Sequence, residues 1–288
     1  MKVLLDTDIG NDIDDAVALA YLLRKPECEL VGITTVTGQA QERAALCEVV
    51  CRAAGREDIP IHCGRETPLA HGPGQPNPAQ YEAIQDLPHR LDWPLNTAVD
   101  FQRRMIRDNP GEITLLSIGP FSNLAILFAL DPEIPSLLGG LASMAGSFYP
   151  GAPEREWNCL VDPTACAIVY AANRIRHLSI GLDVTMQCTM SPAEVRERFV
   201  GEPLATVARL AEVWFRNSSD QLTFHDPLAA AVLFEPNLCT YETGNVNVDH
   251  EGRTLFIPSD DSSDSPDQVA KTVDRDGFFR EFFSVFES

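Results

Sequence analysis

Apolar strand-like runs alternate with helix-like stretches along nearly the whole chain, and that alternation restricts the fold more than any other feature. Val3–Leu5 predicts a strand and about Asp14–Arg24 a helix. Leu30–Val36 predicts a second strand ending at Thr37-Gly38. Ala40–Ala54 predicts a helix whose inner face carries Ala44, Leu46, Val49 and Val50. Ile59–His62, Ile113–Ile118, Leu137–Met144 and Leu178–Leu182 read as further strands. Helices are expected at Asn96–Arg107, at Asn123–Leu130 with Ser122 as its cap, and at Thr164–Ala172 behind an Asp162-Pro163 start. Later helices are expected at 192–199, 203–217 and from Pro227 to Phe234. Gly244–Asp249 and Arg253–Ile257 flank Gly252 as a hairpin would. Val269–Val273 is the last expected strand and Phe278–Phe286 the last helix.

Parallel neighbours need crossover connections, so strand–helix alternation implies a mostly parallel sheet with helices on both faces. The expected fold class is α/β, an open Rossmann-like sheet. With no internal repeat and no linker, residues 1–288 read as a single domain. Residues 64–95, rich in Pro, Gly and His, read as a long functional loop. Ser259–Gln268, acidic and serine-rich, reads as a solvated one.

Charge narrows the function. The 22 Lys+Arg stand against 42 Asp+Glu, a net of −20, and no basic face is visible for nucleic acid. No apolar run reaches the roughly 18 residues of a membrane span. Met1-Lys2-Val3 leads straight into Asp6 without a signal-peptide core, so a cytoplasmic location is expected. The eight cysteines include no Cys-x-x-Cys pair and are expected to be buried free thiols; Cys47 and Cys51 lack a second ligand pair for zinc.

The chemistry concentrates at the first strand-to-helix turn, where open α/β sheets place ligands. Asp6, Asp8, Asp12, Asp14 and Asp15 crowd into ten residues there. Such crowding is unfavourable unless a cation neutralises it. Oxygen donors suit Ca²⁺ or Mg²⁺ rather than zinc. A bound cation acidifies a coordinated water, and a neighbouring aspartate can take its proton. The residues after the strands (Asp6–Asp15, Gly38-Gln39, the Ile118 carbonyl, Met144, Asp183) are expected to converge with His71, Glu156, Asn158 and Asp226. The simplest reading is a metal-assisted hydrolase. Asp6 by itself could equally serve to cap the turn.

Two rivals share the opening motif. A haloacid-dehalogenase-type phosphatase would use Asp6 as nucleophile. It needs Thr or Val where Gly10 stands, and a suitably placed downstream lysine; after the motif only Lys25 and Lys271 remain. An EF-hand over Asp6–Val17 fails because its twelfth position is Val17 rather than Glu.

Asp6-Thr7-Asp8-Ile9-Gly10 followed by Asp14-Asp15-Ala16 resembles the N-terminal signature of the nucleoside hydrolases, the inosine-uridine-preferring N-ribohydrolases. Further matches follow in order: Ile33–Gly38, His71-Gly72-Pro73-Gly74, Gly119–Asn123, Glu156-Trp157-Asn158 before Asp162-Pro163, and His225-Asp226-Pro227. The resemblance implies Ca²⁺-dependent hydrolysis of ribonucleosides, small-molecule substrates, and a homodimer or homotetramer. It implies a Ca²⁺ held by Asp8, Asp15, Asp226 and the Ile118 carbonyl, with Asp8 as general base and Asp14 beside ribose and water. Glu156 and Asn158 would bind sugar hydroxyls, Met144 would line the pocket, and His71 and His225 would contact or protonate the base. An oxocarbenium-like sugar is stabilised by surrounding carboxylates, which suits this set.

The chain also departs from the family pattern. Ile9 replaces a proline, and two added residues before Asp14 leave Asp12 as a competing ligand. Gln39 stands for the usual sugar-binding Asn, and Gly151-Ala152 for Gly-Asn. These departures leave room for a modified ribosyl substrate, or for a ribosyl-binding protein without turnover. Trp157 and Trp214 are expected in the core rather than as base-stacking platforms.

Overall fold

The structure, a computed structural model, describes residues 1–172, 176–259 and 267–287. Its strands in chain order are β1 (Lys2–Thr7), β2 (Glu29–Thr35), β3 (Ile61–Cys63), β4 (Ile113–Ser117), β5 (Gly140–Met144), β6 (His177–Ile180), β7 (Thr189–Met190), β8 (Leu222–Thr223), β9 (Cys239–Val248), β10 (Thr254–Pro258) and β11 (Asp267–Val273). Nine form one sheet in the order β10-β9-β11-β6-β5-β4-β1-β2-β3, and β7 and β8 pair separately. From β11 to β3 every neighbour is parallel. Strands β9 and β10 add an antiparallel edge, which is the expected hairpin around Gly252.

The alternation in the sequence translates directly into two apolar layers. In β1, Val3 and Leu5 join one core and Leu4 the other, because successive strand side chains point to opposite faces. The helices Asp14–Arg24, Leu204–Asn217, His225–Ala231 and Arg275–Ser284 cover the first face. Ala98–Asp108, Ser122–Leu130 and Pro163–Ala171 cover the second. Among the described residues no helix is long and apolar enough to cross a membrane. All eight cysteines are free thiols.

Several local expectations need correction. Leu137 ends a short helix, Ile134–Leu137, and the strand begins only at Gly140. The run Leu178–Leu182 likewise splits into β6 and a short helix, Leu182–Thr185, that contains Asp183. Ser122 does not cap its helix: its hydroxyl donates to Asp162 Oδ2 at 2.6 Å, a buried carboxylate being the stronger acceptor. Asp162 does cap the helix that Pro163 opens, accepting from Ala165 N at 3.0 Å. Segment 64–95 carries a 3₁₀ turn, Ala79–Ile84. Residues 260–266 of the loop expected at Ser259–Gln268 lie outside the described residues, and β11 begins already at Asp267.

Candidate active site

The turn after β1 is shaped by one glycine and one arginine. Gly10 sits at φ +128°, and a Cβ there would lie 2.4 Å from Pro78 Cβ. Only glycine fits such a position. Arg43 is fully buried in the helix Ala40–Ala53. Its guanidinium donates to the carbonyls of Asp8, Ile9 (2.9 Å), Gly38 (2.8 Å) and Gln75 (2.6 Å), and to Asn11 Oδ1 (2.9 Å). One side chain thus holds the aspartate loop against the segment after β2.

The helix Asp14–Arg24 starts with two buried aspartates. Thr7 Oγ1 donates to Asp15 Oδ1 at 2.5 Å. Far along the chain, the helix His225–Ala231 brings Asp226 against Asp14. Ligand oxygens of Asp14, Asp15 and Asp226 all lie within 4.8 Å of one another. They line a cavity of about 260 Å³ together with Asp8, Asp12 and Ile118. Met144, Glu156, Asn158 and His225 line it as well. The cavity opens where the parallel strands end, as the fold demands.

These carboxylates are held in an unfavourable state. Burial pushes Asp8 up to about 7, opposed by Arg43 and reinforced by Glu156. Asp12 rises to about 6, also by burial. Burial first, then mutual repulsion, drives Asp14, Asp15 and Asp226 well above the usual carboxylate range. A hard cation would relieve this repulsion, and an all-oxygen donor set fits one. The residues present therefore suit a divalent metal of the Ca²⁺ or Mg²⁺ type.

Also lining the cavity, Glu156 caps the short helix Trp157–Val161. It accepts from the backbone N–H of Asn158 (2.6 Å), Cys159 (3.0 Å) and Gly146 (3.2 Å), and burial raises its pKa. Asn158 Nδ2 donates to the carbonyls of Ile118 (2.9 Å) and Met144 (3.1 Å). With its nitrogen so engaged, Asn158 has its Oδ1 left to accept a ligand hydroxyl. His225 Nδ1 lies 2.7 Å from Thr185 Oγ1, and burial lowers its pKa to about 4. The ring is therefore neutral near pH 7.

Three expected site residues stand elsewhere. His71 is exposed, and its Nε2 meets the carbonyl of His250 at 2.8 Å. Gln39 occupies the left-handed region at φ 61° ahead of the helix Ala40–Ala53. Its side chain bonds Asn77 N and Glu42 instead of facing the cavity. Asp183 accepts from the N–H groups of Phe148 (2.9 Å) and Tyr149 (2.8 Å) and so anchors that loop. Asp6 is buried beneath the cavity, where Oδ1 accepts from Thr34 (2.5 Å), Asn123 (2.8 Å) and Gln102 (3.1 Å).

Other contributors were not foreseen. Trp157, expected in the core, is 49% exposed and lines the cavity with Gln75 and Arg155. Arg43 carried a usable signal: it falls on the buried stripe of its helix with Leu46, Cys47 and Val50.

Residues 3–280 match the profile of the inosine-uridine preferring nucleoside hydrolases. The chain is 30% identical over 269 residues to the pyrimidine-specific ribonucleoside hydrolase RihA of Klebsiella pneumoniae, covering 88% of this chain and 86% of that protein. It is 28% identical over 271 residues to a probable uridine nucleosidase 2 of Oryza sativa, covering 87% and 79%. A solved plant nucleoside hydrolase, PpNRh1, shares the fold with a TM-score of 0.83 and 27% identity over 100% of this chain and 99% of that one. A match this long, to a chain whose clustered aspartates, Glu156-Trp157-Asn158 turn and His225-Asp226 pair all face one cavity, makes this protein a member of the inosine-uridine preferring nucleoside hydrolase family.

Proposed function

We propose that the chain hydrolyses the N-glycosidic bond of ribonucleosides in a Ca²⁺-dependent reaction that releases ribose and free base. The observation that carries this reading is the buried meeting of Asp14 and Asp15 with Asp226, beside Asp8, in one cavity. Asp8, Asp15, Asp226 and the Ile118 carbonyl are the groups that would hold the ion, with Asp14 against them. When bound, Ca²⁺ would supply positive charge that neutralises these carboxylates and acidifies a water.

This chain's own residues account for the remaining chemistry. Asp8, in the wall of the cavity, takes the proton of the attacking water. Asn158 Oδ1 and the Glu156 carboxylate accept the sugar hydroxyls, and the Met144 backbone closes that side. Buried carboxylates stabilise the positive charge that develops on the sugar ring. His225, neutral at pH 7, hydrogen-bonds the departing base; in the tautomer with its proton on Nε2, Nδ1 accepts from Thr185 Oγ1 at 2.7 Å. His71 and Gln39 have no part in this scheme. A ribosyl binder without turnover is not favoured, because the base, the sugar acceptors and the carboxylate cluster are all present in one cavity.

The family resemblance also supports a cytoplasmic homodimer or homotetramer, which light scattering after size exclusion would test. One sheet running from Lys2 to Val273 supports treating residues 1–288 as one domain. The direct test of the reaction is a reducing-sugar assay with inosine, uridine and nicotinamide riboside. Ribose release that stops on adding chelator and returns with Ca²⁺ is expected. Tight Ca²⁺-dependent ribose binding without release would overturn hydrolysis.

A further inference from the structure

Two donor groups lining the active-site cavity lack acceptors among the described residues. Among the described residues, the exposed Arg155 is the one Lys or Arg side chain lining that cavity. Acidic side chains outnumber basic ones 42 to 22, yet Arg155 makes no hydrogen bond or ion pair with the described residues. Its neighbour Glu154 is taken by Arg253 at 2.7 Å. The second donor is Gln75, which is only 9% exposed. Trp157 Nε1 donates to Gln75 Oε1. An indole nitrogen can only donate, so Gln75 must turn its oxygen to it and its NH₂ away. The backbone of Gln75 is already spent, donating to Thr37 Oγ1 (3.1 Å) and accepting from Arg43 (2.6 Å). Its Nε2 remains a donor without a partner among the described residues.

We infer that the substrate of this site carries an oxyanion, a carboxylate on the base or a phosphate on the sugar, bound by Arg155 and Gln75 beside the Trp157 ring. The inference deepens the ribonucleoside reading and rests on it. A guanidinium fork matches the paired oxygens of either group, and charge-assisted hydrogen bonds are the stronger kind. The half-exposed Trp157 ring offers a flat apolar surface next to these donors. Arg155 and Trp157 immediately flank Glu156, so the anion site and the sugar acceptors lie on one short segment. The crowded carboxylates line the same cavity, and a bound cation would offset their repulsion of an anion.

The test uses two matched substrate pairs with the Ca²⁺-loaded enzyme: nicotinic acid riboside against nicotinamide riboside, and uridine 5′-monophosphate against uridine. In one pair the charged member is expected to show a kcat/KM about tenfold or more above its neutral partner. Preference in the first pair identifies a carboxylated base, and in the second a phosphorylated sugar. Arg155→Gln is expected to remove most of that preference, chiefly through KM, and Arg155→Lys to restore part of it. If the neutral members are cleaved and preferred in both pairs, and Arg155→Gln changes both members of each pair alike, the anion site is wrong while hydrolysis stands. If none of the four compounds is cleaved, the hydrolase reading and this inference fail together.

Discussion

The backbone N–H of Asp226 donates to Asp14 Oδ2 at 3.0 Å, joining residues 212 apart in sequence. The bond fixes one carboxylate of the cluster against the start of the helix that carries another. Replacing Asp14 with Asn keeps an oxygen for this bond but removes a charge. We expect Asp14→Asn to fold normally and to bind Ca²⁺ at least ~10-fold more weakly, since a carboxylate beside the ion contributes through its charge. Calorimetric titration of Ca²⁺ into both proteins checks this. An unchanged affinity would remove Asp14 from the ion's surroundings.

Asp8→Asn removes the proton acceptor together with one carboxylate of the ion site. The substitution preserves shape and takes away the basic oxygen. Ribose release should fall by about 10²- to 10⁴-fold. In chelator, the far-ultraviolet dichroism and melting temperature should hold or rise, because a buried carboxylate has been neutralised. Full activity in this variant would show that another group takes the proton.

Calcium and pH should be linked. The folded-state pKa values of Asp14, Asp15 and Asp226 lie well above their ordinary 3.8. A raised pKa means the folded form keeps protons the unfolded chain has shed. Without an ion, stability is therefore full below the ordinary aspartate range and declines as pH climbs through the raised values. Calcium replaces those protons, so its stabilising effect should be small at pH 5 and large at pH 8. At 100 times its Kd, a bound ligand adds about 2.7 kcal/mol. Melting scans with Ca²⁺ and with chelator at the two pH values measure the difference, and a shift of equal size at both would contradict the assignment.

Arg43 is a structural cation, and its loss should be felt in both stability and activity. Arg43→Met fills similar space but strands four carbonyls and Asn11 Oδ1. Each buried acceptor left alone costs about 1–3 kcal/mol, so we expect a loss of at least ~3 kcal/mol in urea unfolding. Arg43→Lys should recover little, because an ammonium cannot reach carbonyls spread around a planar fork. A near-native urea midpoint for Arg43→Met would mean that water replaces the guanidinium.

How far the sequence reveals this molecule varies with the physics involved. The order of strands and helices is legible because burial on both faces of a parallel sheet leaves continuous apolar runs such as Val3–Leu5 and Leu115–Leu116. The carboxylate cluster is legible because its crowding makes sense only around a cation. Strand ends are less so: Leu137 and Leu182 are apolar enough for a strand, yet both fall in short helices. The destinations of His71 and Gln39 depend on a long loop and a left-handed turn that no periodicity encodes. Trp157 is hidden for a different reason, since a large aromatic ring reads as core until its neighbours are known.

The place of β11 in the sheet bears on how the protein is made. This strand is the last of the nine to be synthesised, yet it lies between β6 and β9. Until it leaves the ribosome, the backbone edge of β6 faces water and β9 lacks the strand that joins it to the sheet. Unpaired edges of this kind recruit other chains. A nonsense codon shortly before Asp267 should therefore yield aggregates rather than a smaller working enzyme, even though every residue of the cavity would already have been translated.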